Sequence, residues 1–276
     1  YQGINFFDTA DFYSAGESEV ILGRALKGVP RDEVVVASKV GLSMGKAPNQ
    51  KGLSRKHILE AVDRSLQRLG MDYLDLFIIH RLDPETPMEE IAEALNDVVR
   101  TGRALYIGAS SMYAWQFMKL LAIQRANGYA PFVSMQNFYN LVYREEEREM
   151  MPLCVSEGIG VTPWSPMARG FLTKGVDDSA SNRSDTDSLA QNYFGSPADL
   201  EVLAAVRSVA QKIDAKPAQV ALAWVLSKPF ITAPIIGATK GHHLGDAIAA
   251  LGISLDEEMV QELEAPYQPR AIQGHS

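Results

Sequence analysis

Seven short apolar runs alternate along this chain with longer stretches of helical period, and that rhythm limits the folds open to it. The runs are Ile4–Phe7, Val34–Ser38, Leu74–Ile79, Ala104–Ala109, Phe132–Gln136, Gly158–Pro163 and Ile231–Ile236. Most are almost continuously apolar, as expected of parallel strands covered on both faces. The intervening stretches carry helix signals. Ser54 is placed to cap a helix bearing Leu59, Val62, Leu66 and Leu69, with Gly70 as its stop. Thr86-Pro87-Met88-Glu89 reads as a capping box opening a helix that turns Ile91, Leu95 and Val98 inward and ends near Gly102. Further helices are expected over 112–127, 144–157, 199–213, 217–227 and 256–264. Strand and helix in strict alternation imply right-handed βαβ units, and no linker of shifted composition divides them. The expectation is a single α/β domain over residues 1–276. The segment 175–197 breaks the rhythm: it is polar and aperiodic, and reads as a surface loop or a lid.

Composition narrows the function. Net charge is −8, which disfavours a nucleic-acid surface. No apolar run is long enough for a bilayer, no leader peptide is evident, and the single cysteine, Cys154, allows no internal disulfide. These features point to a cytoplasmic protein without a membrane or nucleic-acid partner; they leave oligomeric state open. The chain opens on Tyr1 rather than Met, so a processed, trimmed or incomplete chain is expected.

The polar residues at the C-terminal ends of the runs carry the chemistry. Asp8 follows the first run, Lys39 the second and His80 the third. Ser110 and Ser111 follow the fourth, Gln136 and Asn137 close the fifth, Trp164 and Ser165 follow the sixth, and Gly237, Thr239 and Lys240 follow the seventh. In a parallel barrel these ends share one rim, where such barrels place their sites. Tyr13 lies five residues beyond Asp8. A phenol is a weak acid at neutral pH, and an ammonium beside it favours the phenolate. Lys39 offers the ammonium and Asp8 a counter-charge, while His80 can hydrogen-bond a carbonyl or relay a proton. Such a set suits protonation of a carbonyl oxygen while a nucleophile attacks carbon. No serine elbow, zinc-type spacing or GxGxxG loop is present, so hydride from a nicotinamide would complete the reaction.

The motifs GINFFDTADFY, VVVASKVG, YLDLFIIHRLDP, ALYIGASS, SMQNFYNL, GIGVTPWSPMARGFLT, PAQVALAWVL and PIIGATKGHHLGDAIAAL resemble those of the aldo-keto reductases, in the same order and over nearly the whole chain. The resemblance implies a (β/α)8 TIM-type barrel and NADPH-dependent reduction of an aldehyde or ketone. It places the catalytic tetrad on Asp8, Tyr13, Lys39 and His80, with Tyr13 as general acid. Ser110 (or Ser111), Gln136 and Asn137 take the nicotinamide carboxamide, and Trp164 stacks on the nicotinamide ring. Ser165, Met167, Arg169 and Gly170 fall on the pyrophosphate stretch. Gly237, Thr239 and Lys240 lie at a helix start suited to the 2′-phosphate of NADPH, which favours NADPH over NADH; His243 stands where the family often has arginine, which weakens that preference without reversing it, and Asp246 stands near the adenine. The resemblance also implies a missing first strand and first helix, and so a seven-stranded barrel open between Ile4–Phe7 and Ile231–Ile236. Its alternative function is a redox-sensing regulatory subunit of a membrane potassium channel. Outside these motifs, His57 reads as a surface histidine, Cys154 as core, and Arg144–Arg148 as a salt-bridged helix face. Phe12, Trp115, Phe138 and Tyr267 are candidate pocket walls.

Overall fold

The computed structural model describes residues 3–173 and 193–275. Most of the 175–197 segment therefore lies outside the described residues. The described chain groups into two compact units. The first holds Tyr1–Gln136, Ser156–Ile159 and Gly274–Ser276, and the second holds Asn137–Val155 and Gly160–Gln273.

The first unit is a run of βα repeats: β1 Phe6–Asp8, α1 Glu17–Ala25, β2 Val35–Val40, α2 Arg55–Leu69, β3 Leu74–Ile79, α3 Met88–Arg100, β4 Ala104–Ser110, α4 Ala114–Asn127 and β5 Phe132–Gln136. The five strands pair in chain order, all parallel. One face of the sheet gathers Ala37, Leu76 and Ile78, with Phe6 and Val133 packed against them. Because every strand runs the same way, Asp8, Lys39, His80, Ser110 and Gln136 come out at one edge. Lys39 lies opposite Ile78 and Ser110 opposite Gln136, while His80 N–H donates to Val40 C=O at 2.8 Å.

Helix α2 starts where the sequence indicates. Ser54 Oγ accepts from His57 N–H at 3.3 Å, and Gly70 closes the helix at φ 66°. Its buried stripe is Ile58, Ala61, Val62, Ser65 and Leu69, displaced by one residue from the expected Leu59 and Leu66. His57 belongs to that buried face, at 3% exposure, and is not a surface residue. Burial holds its imidazole below the ordinary histidine range. Helix α3 begins at Met88, with Pro87 rather than Thr86 in the N-cap position, and no side chain caps it. The Thr86 hydroxyl instead donates to Asp83 Oδ2 at 2.6 Å, so the expected capping box does not form.

Helices α1 and α2 approach closely at Gly23. A Cβ there would lie 2.2 Å from the Leu69 carbonyl oxygen, a backbone atom that cannot swing aside. Gly23→Ala gains helix propensity of about 1 kcal/mol but overpacks the contact at roughly 1–3 kcal/mol or more. The expected result is a net loss of stability in urea unfolding; a variant as stable as the parent would mean that the helices separate without cost.

The second unit contains most of α5 (Met150–Glu157), β6 Gly160–Val161, α6 Pro197–Lys212, α7 Pro217–Leu226, α8 Gly241–Ala249 and α9 Glu257–Glu264. Six strands are thus described rather than the expected seven. The Ile231–Ile236 run makes only isolated parallel bridges, Ile231 to Val161 and Ile235 to Trp164. Pro234 within it has no N–H to extend a ladder. Cys154 is fully buried, and burial pushes its thiol up to about 12. The 144–148 stretch is a short 3-10 turn at Glu145–Glu147 with two buried acids rather than a helix face, but the expected salt bridges form, Arg144 with Glu147 at 2.8 Å and Arg148 with Glu145 at 2.7 Å. Its charges hold the C-terminal segment: Tyr267 Oη donates to Glu145 Oε1 at 2.5 Å, Arg270 N–H donates to the same oxygen at 2.9 Å, and Arg144 pairs with Glu264 at 2.9 Å. Among the described residues no helix is long and apolar enough to cross a membrane.

Candidate active site

The four tetrad candidates meet in the first unit. Lys39 is fully buried at the end of β2, and its Nζ has three acceptors: Asp8 Oδ1 at 2.5 Å, Thr9 C=O at 2.9 Å and Tyr13 Oη at 3.2 Å. Three contacts satisfy the three N–H donors of an ammonium. The cation also lies 4.7 Å from the Tyr13 ring centroid. Asp8 is held from its other side by Gln136 Nε2, which donates to Oδ2 at 2.9 Å. Tyr13 is 38% exposed, and its hydroxyl accepts from the Lys39 ammonium. His80 meets the Tyr13 ring edge-on at 5.6 Å.

His80 is 7% exposed, and its Nδ1 is buried without a hydrogen-bond partner among the described residues. Burial, then the positive charges of Lys39 and Arg81, push its pKa down to about 3. The imidazole is therefore neutral across the physiological range. It can orient a carbonyl by hydrogen bonding, but it is not a cation in reserve.

Two expected carboxamide ligands are already engaged within the rim. Ser110 Oγ donates to Gln136 C=O at 2.8 Å, and the Gln136 side chain is spent on Asp8. Arg81, to which sequence reasoning gave no role, reaches Ser110 Oγ at 3.2 Å and the His80 carbonyl at 2.5 Å. Asp11 and Glu19 were missed as well. Both are buried beside the tetrad, brought there by the turn after β1 and by α1, and no local sequence pattern marks them.

In the second unit Asn137 is fully buried. Its Nδ2 donates to Glu146 at 3.2 Å, while its Oδ1 has no partner among the described residues. An orphaned buried acceptor suits a ligand N–H. Trp164 stacks on Phe138 at 4.3 Å, and Phe138 in turn stacks on Tyr143 at 4.6 Å. Phe138 is fully buried, whereas Phe12 and Trp115 are exposed. Asn140 Nδ2 donates to Ser165 C=O at 3.1 Å, and Ser165, Ala168 and Arg169 all have positive φ, so the stretch through Met167 and Gly170 is tightly folded. Helix α8 starts after Lys240 with no side-chain cap. Gly237, Thr239 and Lys240 are exposed there, and Thr239 N–H donates to His243 Nδ1 at 3.4 Å. Asp246 pairs with Lys216 at 2.7 Å.

A family model described as the aldo/keto reductase family matches residues 1–268. The chain belongs to the aldo/keto reductase family. It is 45% identical over 293 residues to a versiconal hemiacetal acetate reductase of Aspergillus parasiticus, covering 98% of this chain and 85% of the relative. It is 40% identical over 301 residues to an aldo-keto reductase of Fusarium vanettenii, covering 100% and 81%. A Schizosaccharomyces pombe protein provisionally named an aryl-alcohol dehydrogenase is 42% identical over 296 residues, covering 99% and 90%. This aldo/keto reductase is accordingly an oxidoreductase of carbonyl reduction, from a family that typically uses NAD(P)H. Its parallel strands with covering helices agree with the expected TIM-type α/β class.

Proposed function

We propose that this aldo/keto reductase reduces an aldehyde or ketone to the alcohol with NADPH, and that Tyr13 supplies the proton. The observation that carries this reading is the hydrogen-bonded line Asp8–Lys39–Tyr13, set beside a neutral His80. NADPH, when bound, supplies the hydride that the carbonyl carbon receives. Tyr13 Oη gives its proton to the carbonyl oxygen as that oxygen becomes negative. The Lys39 ammonium steadies the charge left on the phenolic oxygen, and Asp8 balances the ammonium within a buried setting. His80 orients the carbonyl through a neutral hydrogen bond.

The donor set fits the cofactor. Asn137 Oδ1 is an orphaned acceptor of the kind a carboxamide N–H would satisfy, and Trp164 offers an aromatic face for the nicotinamide. Ser110 and Gln136 are assigned to the same carboxamide, although each already serves a rim contact. Ser165, Met167, Arg169 and Gly170 are assigned to the pyrophosphate. Gly237, Thr239, Lys240 and His243 are assigned to the 2′-phosphate end, and Asp246 to the adenine. Uncapped backbone N–H groups at the α8 start favour an anion, and Lys240 adds a cation that makes no ion pair among the described residues.

The substrate is a small carbonyl compound, and an aromatic aldehyde is the first to test. Following NADPH consumption with such an aldehyde tests the reaction. Cofactor preference is tested apart from it. NADPH should bind more tightly than NADH, and Lys240→Ala should narrow the gap by one to two decades, since a charge-assisted phosphate contact is worth roughly 1.5–3 kcal/mol. Equal fluorescence-titrated affinities in the parent would count against the NADPH assignment.

A further inference from the structure

Asp11 stands between Asp8 and Tyr13 in the chain. It is 1% exposed, and among the described residues no side chain donates a hydrogen bond to its carboxyl oxygens; the donor turned toward them is the backbone N–H of Phe12. Buried polar groups are as a rule fully paired, and an ionised carboxylate with no side-chain donor or committed counter-charge is especially costly to bury. The charged groups facing Asp11 are Glu19 from α1, Arg68 from α2 and Lys39 from β2. Both cations are committed elsewhere. Arg68 Nε binds Glu19 at 2.5 Å, and Lys39 holds Asp8. Glu19 is itself fully buried and also accepts from the Ser38 hydroxyl. Burial first, and the Glu19 charge second, raise the Asp11 carboxyl to about 7, against the Phe12 N–H and the Arg68 and Lys39 charges, which lower it.

The same cluster lies against the turn that carries Tyr13. Ser14 and Ala15 both adopt left-handed backbone, at φ 50° and 55°, and Gly16 follows at 94°. A Cβ on Gly16 would meet Arg68 Cδ at 2.7 Å. Asp11 N–H donates to Lys39 C=O at 3.2 Å, and the Thr9 and Ser18 hydroxyls meet at 2.8 Å across the turn. Such strained backbone persists only where its surroundings hold it.

We propose that Asp11 is a positioning residue: its protonated carboxyl lets the Tyr13 turn rest on the Glu19–Arg68 ion pair, and its ionisation disturbs that turn and suppresses carbonyl reduction. The inference rests on Tyr13 as the acid. Ionisation would set a second buried negative charge facing Glu19 and compete for the two cations that hold Glu19 and Asp8. His80 cannot produce the same dependence, because it stays neutral far below neutral pH.

The test combines turnover with carbon-13 NMR of protein labelled at the aspartate carboxyl and tyrosine ring carbons. Between about pH 6 and about pH 8.5 the parent should lose more than about tenfold in kcat, while Asp11→Asn should lose less than about threefold. In the parent one aspartate carboxyl should titrate near neutral pH. The Tyr13 signal, identified by its loss in Tyr13→Phe, should step at the same midpoint, and the step should vanish in Asp11→Asn. The NMR arm needs no turnover, so an inactive chain would count against the proposed function without deciding this inference, which the NMR arm still decides. The parent signals alone decide it if Asp11→Asn fails to fold. No aspartate carboxyl titrating between about pH 6 and about pH 8, a Tyr13 signal indifferent to that titration, or an unchanged pH profile in Asp11→Asn would overturn it.

Discussion

Tyr13→Phe is expected to lose roughly two to four decades in kcat, the range that a positioned general acid contributes, while NADPH affinity changes by less than about threefold. The substitution removes one oxygen and little else. The ring keeps its edge contact with His80, and Lys39 keeps Asp8 and the Thr9 carbonyl as acceptors. Tyr13 is also more than one-third exposed, so no buried cavity opens. Loss of rate with retained cofactor binding and an unchanged unfolding midpoint would therefore isolate proton transfer. Retention of more than a few per cent of the parent rate would remove Tyr13 from that role.

Lys39→Met is expected to be the most destabilising change in the site, by about 3–5 kcal/mol, the usual cost of removing one partner of a buried ion pair. The side-chain exposures are 0% for Lys39 and 6% for Asp8. Without the ammonium, the Asp8 carboxylate keeps only the Gln136 amide, and the buried Thr9 carbonyl loses its donor. Adding Asp8→Asn to Lys39→Met removes the orphaned charge. The double variant should recover part of the lost stability without recovering turnover, because the two substitutions couple through one contact. Urea unfolding reads both variants. A loss below about 1 kcal/mol in Lys39→Met would mean that the pair is worth no more than an exposed one.

The strands and their polar ends were legible because each is a local pattern. An apolar run that stops at Lys39 or His80 marks both a buried strand and its rim. Helix starts were legible where the capping residue has no competitor, as at Ser54. At Thr86 the same signal misled, because Asp83 three residues earlier takes the hydroxyl. His57 was misread for a related reason: the α2 stripe is set by packing and includes a histidine that composition places outside. The Ile231–Ile236 run looked like a strand, but with Pro234 inside it the chain forms only single bridges. Of the candidate site, Asp8, Lys39 and His80 could be found from their strand ends and their convergence in the first unit follows from the parallel order, whereas Tyr13 lies in the turn after β1 and came from its spacing to Asp8 and from the family resemblance. What was not legible is long-range. Gln136 engages Asp8, and Asp11 comes to face Glu19 and Arg68, through turns and helices whose paths the residue pattern does not specify.

The most direct test of the central claim is label transfer. The protein is incubated with an aromatic aldehyde and NADPH carrying deuterium at the transferable position of the nicotinamide, and the product alcohol is analysed by mass spectrometry and proton NMR. Alcohol with deuterium on the carbinol carbon, formed by the parent and lost in Tyr13→Phe, is the predicted result. Alcohol free of deuterium, or no alcohol from a protein that demonstrably binds NADPH across a panel of aldehydes and ketones, would contradict it.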